Sequence, residues 1–211
     1  MTSKAFSHLE DLRRAYDRGA SQRNALEDLQ WRPAVLEAWL RELPSAPRLL
    51  ELGPGTGQLA LYAQQLGARV HVIDLSAQNV EYCRQRGLSA QVGDLRELVR
   101  SDELGLFDGV YAINVLLHVP RAEHAAVMAA VRARLLPGGS ALIVSWGGLD
   151  REGIWDGDSF DPPRYFSQYG EAAFQALEFD GFEVVRREAV TARAPDGLYP
   201  QLLVLRRTPS V

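Results

Sequence analysis

The sequence predicts an α/β domain, a mostly parallel sheet with helices on both faces, and three observations predict it. From Arg48 to Trp146, short apolar runs alternate with helix-spaced stretches, the mark of βαβ units. The first apolar run ends in a glycine-rich turn that opens a helix. Two last apolar runs have only a loop between them, which suits an antiparallel pair at a sheet edge.

The elements follow in order. The first 43 residues read as helices. Pro33 suits a first helical turn, and Val35, Leu36, Trp39, Leu40 and Leu43 then recur at helical spacing. Pro44 to Pro47 is a linker. Leu49–Leu52 reads as a strand with a helix to Gly67, and Val70–Asp74 as a strand with a helix to Gly87. Ala90–Val92 precedes a short helix from Leu95. Phe107–Ile113 precedes a helix from Arg121 to Leu136, and Ser140–Trp146 is the fifth strand. A helix over Glu171–Phe179 then leads to strands at Phe182–Val185 and Leu202–Leu205. We expect one domain: a helical segment 1–47, a core 48–146, and a closing segment 147–211.

A chain of 211 residues suits one core. Acidic residues outnumber basic ones, 27 to 23, for a net charge of −4, and no basic stripe is visible. Phosphate contacts dominate nucleic-acid affinity, so a nucleic-acid partner is not expected. The single Cys83 forms no intrachain disulfide and suits a reducing compartment. Neither a signal-peptide pattern nor an apolar run long enough to cross a bilayer is present, so the expectation is a cytoplasmic chain with no membrane partner. Oligomeric state is not legible.

Glu51-Leu52-Gly53-Pro54-Gly55-Thr56-Gly57 joins the first strand to its helix. Glycines there permit a tight turn and close approach of backbone to a ligand, and the amides of a helix start favour a negative group. Asp74 ends the second strand, seventeen residues past Gly57, and suits ribose hydroxyls. Asp94 follows the third strand in Gly93-Asp94-Leu95. Each acid alone can be a helix cap. Three strand ends with an acid at one sheet edge point to a ligand site, because ligands of open α/β sheets bind at that edge.

Together these stretches resemble the class I S-adenosylmethionine-dependent methyltransferases of small-molecule type. Glu51–Gly57 resembles their first motif, Val72-Ile73-Asp74-Leu75-Ser76 the second, Gly93-Asp94-Leu95 the third, Phe107–Tyr111 the fourth strand, and Leu135-Leu136-Pro137-Gly138-Gly139 the turn before the fifth. The resemblance implies a Rossmann-like, seven-stranded sheet with the last strand reversed, and S-adenosylmethionine as cofactor. It implies that Glu51 lies near the methionine amino group, with Gly53, Gly55 and Gly57 around the methionine half. Asp74 would hold the ribose and Leu75 pack on adenine. Asp94 would accept from the adenine amino group, with the Leu95 amide on a ring nitrogen, and Asn114 would offer its carbonyl to the ammonium. Ala15-Tyr16-Asp17 resembles the start of family members whose N-terminal helix lids the cofactor, which brings Tyr16 to the site.

The expected reaction is methyl transfer to a small molecule by in-line displacement, where positioning lowers the barrier and a base serves a protic acceptor. His118, four residues past Asn114, is the candidate base. No metal-ligand spacing is present. Gly147 to Tyr169 reads as a long loop that mixes Trp155, Phe160, Tyr165, Phe166 and Tyr169 with Asp150, Glu152, Asp156, Asp158 and Asp161. If it lids the site, a neutral or cationic acceptor is expected. Two alternatives stand: a non-catalytic cofactor-binding module, and a nicotinamide-dependent oxidoreductase. The second lacks its third fingerprint glycine, since position 58 is Gln.

Overall fold

The computed structural model describes residues 3–26, 29–100, 104–190 and 197–209. Parts of the expected N-terminal helical region, residues 1–2 and 27–28, lie outside the described residues. Helices α1 (Ser3–Asn24) and α2 (Arg32–Leu40) precede the sheet. Then β1 (Arg48–Leu52), α3 (Gln58–Gln65), β2 (Arg69–Asp74), α4 (Ala77–Gln85) and β3 (Ser89–Val92) alternate. A 3-10 turn at Leu95–Arg100, β4 (Phe107–Ile113), a second 3-10 turn at Leu116–His118, α5 (Arg121–Arg134) and β5 (Leu135–Gly147) follow. The chain ends with β6 (Arg151–Ile154), β7 (Tyr165–Gln168), α6 (Glu171–Gln175), β8 (Phe182–Ala189) and β9 (Tyr199–Arg207).

The seven-stranded sheet has the order β3-β2-β1-β4-β5-β9-β8. Strands β1 to β5 pair in parallel, and β9 runs antiparallel to both β5 and β8. The reversed strand inserted beside β5 is the expected departure from an all-parallel dinucleotide-binding sheet. It weighs against the oxidoreductase alternative.

Side chains alternate across the central strands because β-residues face opposite sides in turn. Leu50, Val110, Ala112, Ala141 and Ile143 pack towards Met128 and Val131 of α5. Leu49, Tyr111, Leu142 and Val144 pack towards Leu36, Trp39, Leu59 and Cys83 on α2, α3 and α4. Both faces of the sheet are therefore core, and the strands read as nearly continuous apolar runs. Gly109 is fitted to this packing: a Cβ there would lie 2.5 Å from Trp39. Trp39 in turn donates through Nε1 to Ser140 Oγ at 2.8 Å.

Several boundaries differ from expectation. The helix read as reaching Leu136 stops at Arg134, and strand pairing resumes at Leu135 opposite Phe107. The helix at Leu95 is a 3-10 turn, and the one at Glu171 ends at Gln175. The largest correction concerns Gly147–Tyr169. It is only partly a loop, since β6 and β7 pair Arg151 with Gln168 through Ile154 with Tyr165 as an antiparallel hairpin, and residues 155–164 form the irregular connection between them. Alternation was hidden there by acids and prolines, and the pairing is with itself rather than with the main sheet.

Two elements close over the C-terminal edge of the parallel strands. Helix α1 is tied to α4: Ser76 Oγ donates to Asp17 Oδ1 at 2.6 Å, and Arg86 Nη2 to Asn24 Oδ1 at 2.8 Å. The hairpin is tied to α1: Arg18 Nη1 lies 2.5 Å from Asp161 Oδ2, and a Cβ on Gly19 would meet Phe160 at 2.7 Å. No helix among the described residues is long and apolar enough to cross a membrane.

Candidate active site

A cavity of about 440 Å³ lies between that edge, α1 and the hairpin. Its floor is made by the turns that follow β1, β2, β3 and β4. Glu51, Gly53, Gly55, Asp74, Leu75, Asp94, Leu95 and Asn114 all line it, as do Tyr16 and His118. Gly57 does not. It caps α3 in the left-handed region at φ 83°, and a Cβ there would meet Leu88 and Cys83 at 2.7 and 2.8 Å. Gly57 therefore shapes the turn from below, and Gly55 is the glycine with open space above it. The nearest atom to a Gly55 Cβ is Arg23 Nη2, 3.8 Å away.

Asp74 is buried and organises the turn. It accepts from the Gly55 amide at 3.0 Å, the Ser76 amide at 2.8 Å and Asn79 Nδ2 at 3.3 Å. Three of its lone pairs are engaged, which leaves one acceptor position for a ligand hydroxyl. Burial pushes its pKa up to about 6 against those hydrogen bonds. Glu51 lies one residue short of the same turn and is 3% exposed. Tyr111, its neighbour across the β1–β4 pair, donates to Glu51 Oε2 at 2.8 Å. Burial, partly offset by that bond and reinforced by nearby Asp74, raises the Glu51 pKa to about 8. Two protonatable carboxyls thus face one cavity, and a cation placed between them would draw both into the ionised form.

Asp94 is gripped by Arg96, with Nε at 3.0 and 2.9 Å from its two oxygens and Nη2 at 2.6 Å from Oδ2. Arg96 also reaches Glu123 of α5 at 3.2 Å. Asn114 ends β4 in the left-handed region at φ 60°, a conformation Asn tolerates better than most residues. Its amide donates to Val144 O at 2.7 Å, and its Oδ1 accepts from the Trp146 amide at 3.2 Å. These bonds join the ends of β4 and β5 beneath the cavity.

On the other side, His118 Nδ1 lies 2.8 Å from the Tyr165 carbonyl oxygen. A carbonyl only accepts, so Nδ1 carries the hydrogen. Burial and the Arg164 guanidinium lower the His118 pKa to about 3, which keeps the ring neutral. Its Nε2 lone pair therefore accepts from the Tyr16 hydroxyl at 2.8 Å. Both ring nitrogens of His118 are engaged within the protein. Arg164 Nη1 donates to the same Tyr16 oxygen at 3.1 Å. Arg164 is held by Asp158 at 2.8 Å and stacks 3.7 Å over the Phe160 ring.

The acids of segment 147–169 do not line the cavity; the hairpin presents Arg164 and Phe166 instead. Asp158 is paired with Arg164, Asp161 with Arg18, and Asp150 with Arg121. Glu152 accepts from the Arg121 amide at 2.8 Å and the Tyr165 hydroxyl at 2.6 Å. The expectation of an acidic, cation-attracting loop is corrected by this geometry. Asp150, Asp158 and Asp161 each found an arginine, and sequence does not reveal such pairings between hairpin, lid and α5. Sequence reasoning also passed over Arg32, Arg96 and Arg164 as cavity residues. Only Arg164, set among aromatics in Pro163-Arg164-Tyr165-Phe166, carried a local signal. No cluster of three or more potential metal ligands is found among the described residues.

Residues 49–139 match the family model described as a methyltransferase domain. The chain is 33% identical over 105 residues to a ubiquinone biosynthesis O-methyltransferase of Xanthomonas axonopodis pv. citri, covering 47% of this chain and 43% of that protein. The chain thus spans less than half the length of the curated relatives it matches. Over nearly its whole length it superposes on the 1,6-didemethyltoxoflavin-N1-methyltransferase of Burkholderia thailandensis, solved with S-adenosylhomocysteine. That match has a TM-score of 0.73 at 19% identity and covers 99% of this chain and 92% of that one. The magnesium protoporphyrin IX methyltransferase of Synechocystis PCC 6803, solved with bound SAM, matches with a TM-score of 0.69 at 19% identity, covering 98% and 100%. At these identities the superpositions establish the shared fold.

Proposed function

Starting from the match of residues 49–139 to a methyltransferase domain, we propose that the protein is a class I methyltransferase of small-molecule type, which binds S-adenosylmethionine and transfers its methyl group to a small-molecule acceptor. The observation that carries this reading is the convergence of Glu51, Gly55, Asp74, Leu75, Asp94 and Asn114 on one cavity at the C-terminal strand edge. The similar curated proteins are named as O-methyltransferases, which favours oxygen as the acceptor atom.

The residues fit the cofactor. Gly55 leaves open space where a Cβ would otherwise intrude, so a ligand can approach the turn's backbone. Glu51 suits an ammonium group and Arg23, above Gly55, a carboxylate. The carbonyl of Asn114 is a second acceptor for the ammonium. The open acceptor position on Asp74 suits a ribose hydroxyl. Leu75 and Leu95 offer apolar surface for a purine, with the Asp94 carboxylate and the Leu95 amide at its edge. The bound sulfonium would supply an already activated methyl group. What the chain adds is alignment and exclusion of water by α1 and the hairpin, and alignment alone can lower a barrier by roughly 7–11 kcal/mol. The test is thermal unfolding with S-adenosylmethionine, S-adenosylhomocysteine and nicotinamide dinucleotides. The first two raise the Tm and the last do not; the reverse order removes the reading. Release of the product thioether with any acceptor distinguishes an enzyme from a binding module.

A further inference from the structure

The charges around the cavity are divided between its floor and its roof. Among the described residues, the carboxylates that line it are Glu51, Asp74 and Asp94, all at strand ends of the floor. Helix α1 and the hairpin contribute none, and the arginines they contribute are Arg23 and Arg164. Asp158, the partner of Arg164, does not line the cavity, and its side chain is 1% exposed. The pair therefore turns its positive end to the cavity. The same sign is felt at His118: after burial, Arg164 is the largest influence lowering its pKa to about 3, and the opposing pull of Asp158 is smaller.

A guanidinium has five N–H groups. Arg164 spends Nε–H and one Nη2–H on the two Asp158 oxygens, each at 2.8 Å, and one Nη1–H on Tyr16 Oη at 3.1 Å. One N–H on each terminal nitrogen is left uncommitted among the described residues. The Phe160 ring stacks on the guanidinium at 3.7 Å and the Phe166 centroid lies at 5.2 Å, so the group is fixed before a ligand arrives. Beside it, both ring nitrogens of His118 and the hydroxyl hydrogen of Tyr16 are committed within the protein. Those groups have no hydrogen to give, so the uncommitted N–H groups of Arg164 are the donors next to them. Arg23 lies over the Gly55 turn and is matched to the cofactor, which leaves Arg164 to the acceptor.

We infer that Arg164 is a specificity-determining residue of the acceptor site, and that it selects molecules carrying a carboxylate or, more weakly, a carbonyl oxygen on a flat apolar body, and rejects amines and other cations. This rests on the methyltransferase reading above. Hydrogen bonds from a guanidinium to a carboxylate are stronger than those between neutral groups, and the planar fork matches the two oxygens. A cationic head would meet the guanidinium with no carboxylate on the roof to offset it, which is a repulsive element against that class. Leu12, Leu117 and Phe166 line the same side and supply the apolar walls. The sign is opposite to the one suggested by the acids of segment 147–169, because folding spent Asp150, Asp158 and Asp161 on arginines.

The experiment uses the full chain saturated with S-adenosylhomocysteine and reads calorimetric affinity for flat probes that differ in their head group: benzoate, benzamide, toluene and benzylamine. Benzoate is expected to bind tightest, benzamide next, and benzylamine about tenfold or more weaker than benzoate. Benzylamine that binds as tightly as benzoate, or benzoate that does not bind at millimolar concentration, overturns the inference. Asp158→Asn combined with Arg164→Met removes the cation without stranding its partner. In that protein benzoate is expected to lose about tenfold or more in affinity, while toluene and S-adenosylhomocysteine each change by less than about twofold. Arg164→Lys keeps the charge without the fork and is expected to fall between the two proteins. Benzoate affinity unchanged in the folded double variant assigns the anion to another cavity cation, such as Arg23, and overturns the role of Arg164. The probe ranking in wild type needs no variant and stands as a test even where a substitution unfolds the protein. Wild-type protein that fails to bind S-adenosylhomocysteine removes the methyltransferase reading itself, a separate result from a wrong ranking of the probes.

Discussion

Tyr16 on α1 and Arg164 on the hairpin meet at 3.1 Å although 148 positions separate them in sequence. Their contact joins the two elements that roof the cavity. The Arg164–Asp158 pair beside this contact is largely shielded, with side-chain exposures of 12% for Arg164 and 1% for Asp158.

Arg164→Met is expected to destabilise the protein, because it strands the Asp158 carboxylate. Breaking a buried pair from one side costs about 3–5 kcal/mol, and each kcal/mol lowers the Tm of a domain this size by about 2–4 °C. Burial opposes ionisation of Asp158, yet the hydrogen bonds from Arg164 hold its pKa below the ordinary value. Its contribution is therefore present above the unfolded carboxyl pKa and fades as pH falls through the folded one. A thermal scan at pH 7 checks the loss; an unchanged Tm shows that the pair adds nothing.

Ligand binding is expected to release protons. Burial raises Glu51 to about 8 and Asp74 to about 6, so Glu51 is largely protonated at neutral pH in the ligand-free cavity. A bound ammonium favours the carboxylate. Calorimetry of S-adenosylhomocysteine binding in buffers of different ionisation enthalpy reads the release, which is largest below pH 8. Glu51→Gln is expected to abolish most of it. The ligand-free variant also gains stability over wild type as pH rises from 4.5 through 8, because the raised Glu51 pKa makes wild type lose stability across that window. Parallel pH profiles for the two proteins contradict this.

Gly53 and Gly55 are expected to fail differently when changed to Ala. Both have positive φ, 62° and 58°, and a left-handed Ala costs about 1–2 kcal/mol. At Gly53 the new Cβ also meets Val115 Cγ2 at 2.5 Å, whereas at Gly55 it points into open space. Gly53→Ala should therefore unfold at the lower temperature. Gly55→Ala should stay folded and lose affinity for S-adenosylhomocysteine by about tenfold or more, about 1.4 kcal/mol. Equal melting temperatures, or full affinity in Gly55→Ala, refute the distinction.

His124→Phe is expected to loosen the turn that carries His118. The His124 Nε2–H is shared between the Leu116 and Val119 carbonyls at 3.0 and 2.9 Å, and its Nδ1 accepts from Tyr169 at 2.9 Å. Leaving such groups without partners costs about 1–3 kcal/mol each. Burial holds the His124 pKa below 6.5. Its share of stability is thus complete above pH 6.5 and is lost as pH falls from there towards the folded pKa, a loss the Phe variant does not show. Melting temperatures from pH 7 down to pH 5 read both effects.

The parallel strands, their order of appearance, the glycine turn and the acids at three strand ends were legible because they depend on local pattern. An apolar run buried on both faces is apolar wherever it is read, and a left-handed turn requires glycine at Gly53 and Gly55 whatever surrounds it. The hairpin at Arg151–Gln168 was not legible. Its strands are four residues each, and their pairing compensates charges from elsewhere in the chain.

By itself the sequence determined the sheet, the edge at which a ligand binds and most residues of the floor, since neighbours in sequence remain neighbours in a strand–turn–helix unit. Only the tertiary structure decided the roof. Tyr16, His118, Asp158 and Arg164 come from three separate segments, and their hydrogen-bond directions follow from which donor meets which acceptor in space. The same folding turned Asp150, Asp158 and Asp161 of segment 147–169 towards arginines, because a carboxylate near a guanidinium is stabilised more by that partner than by an open cavity. The apparent acidity of that stretch therefore says little about the chemistry of the site.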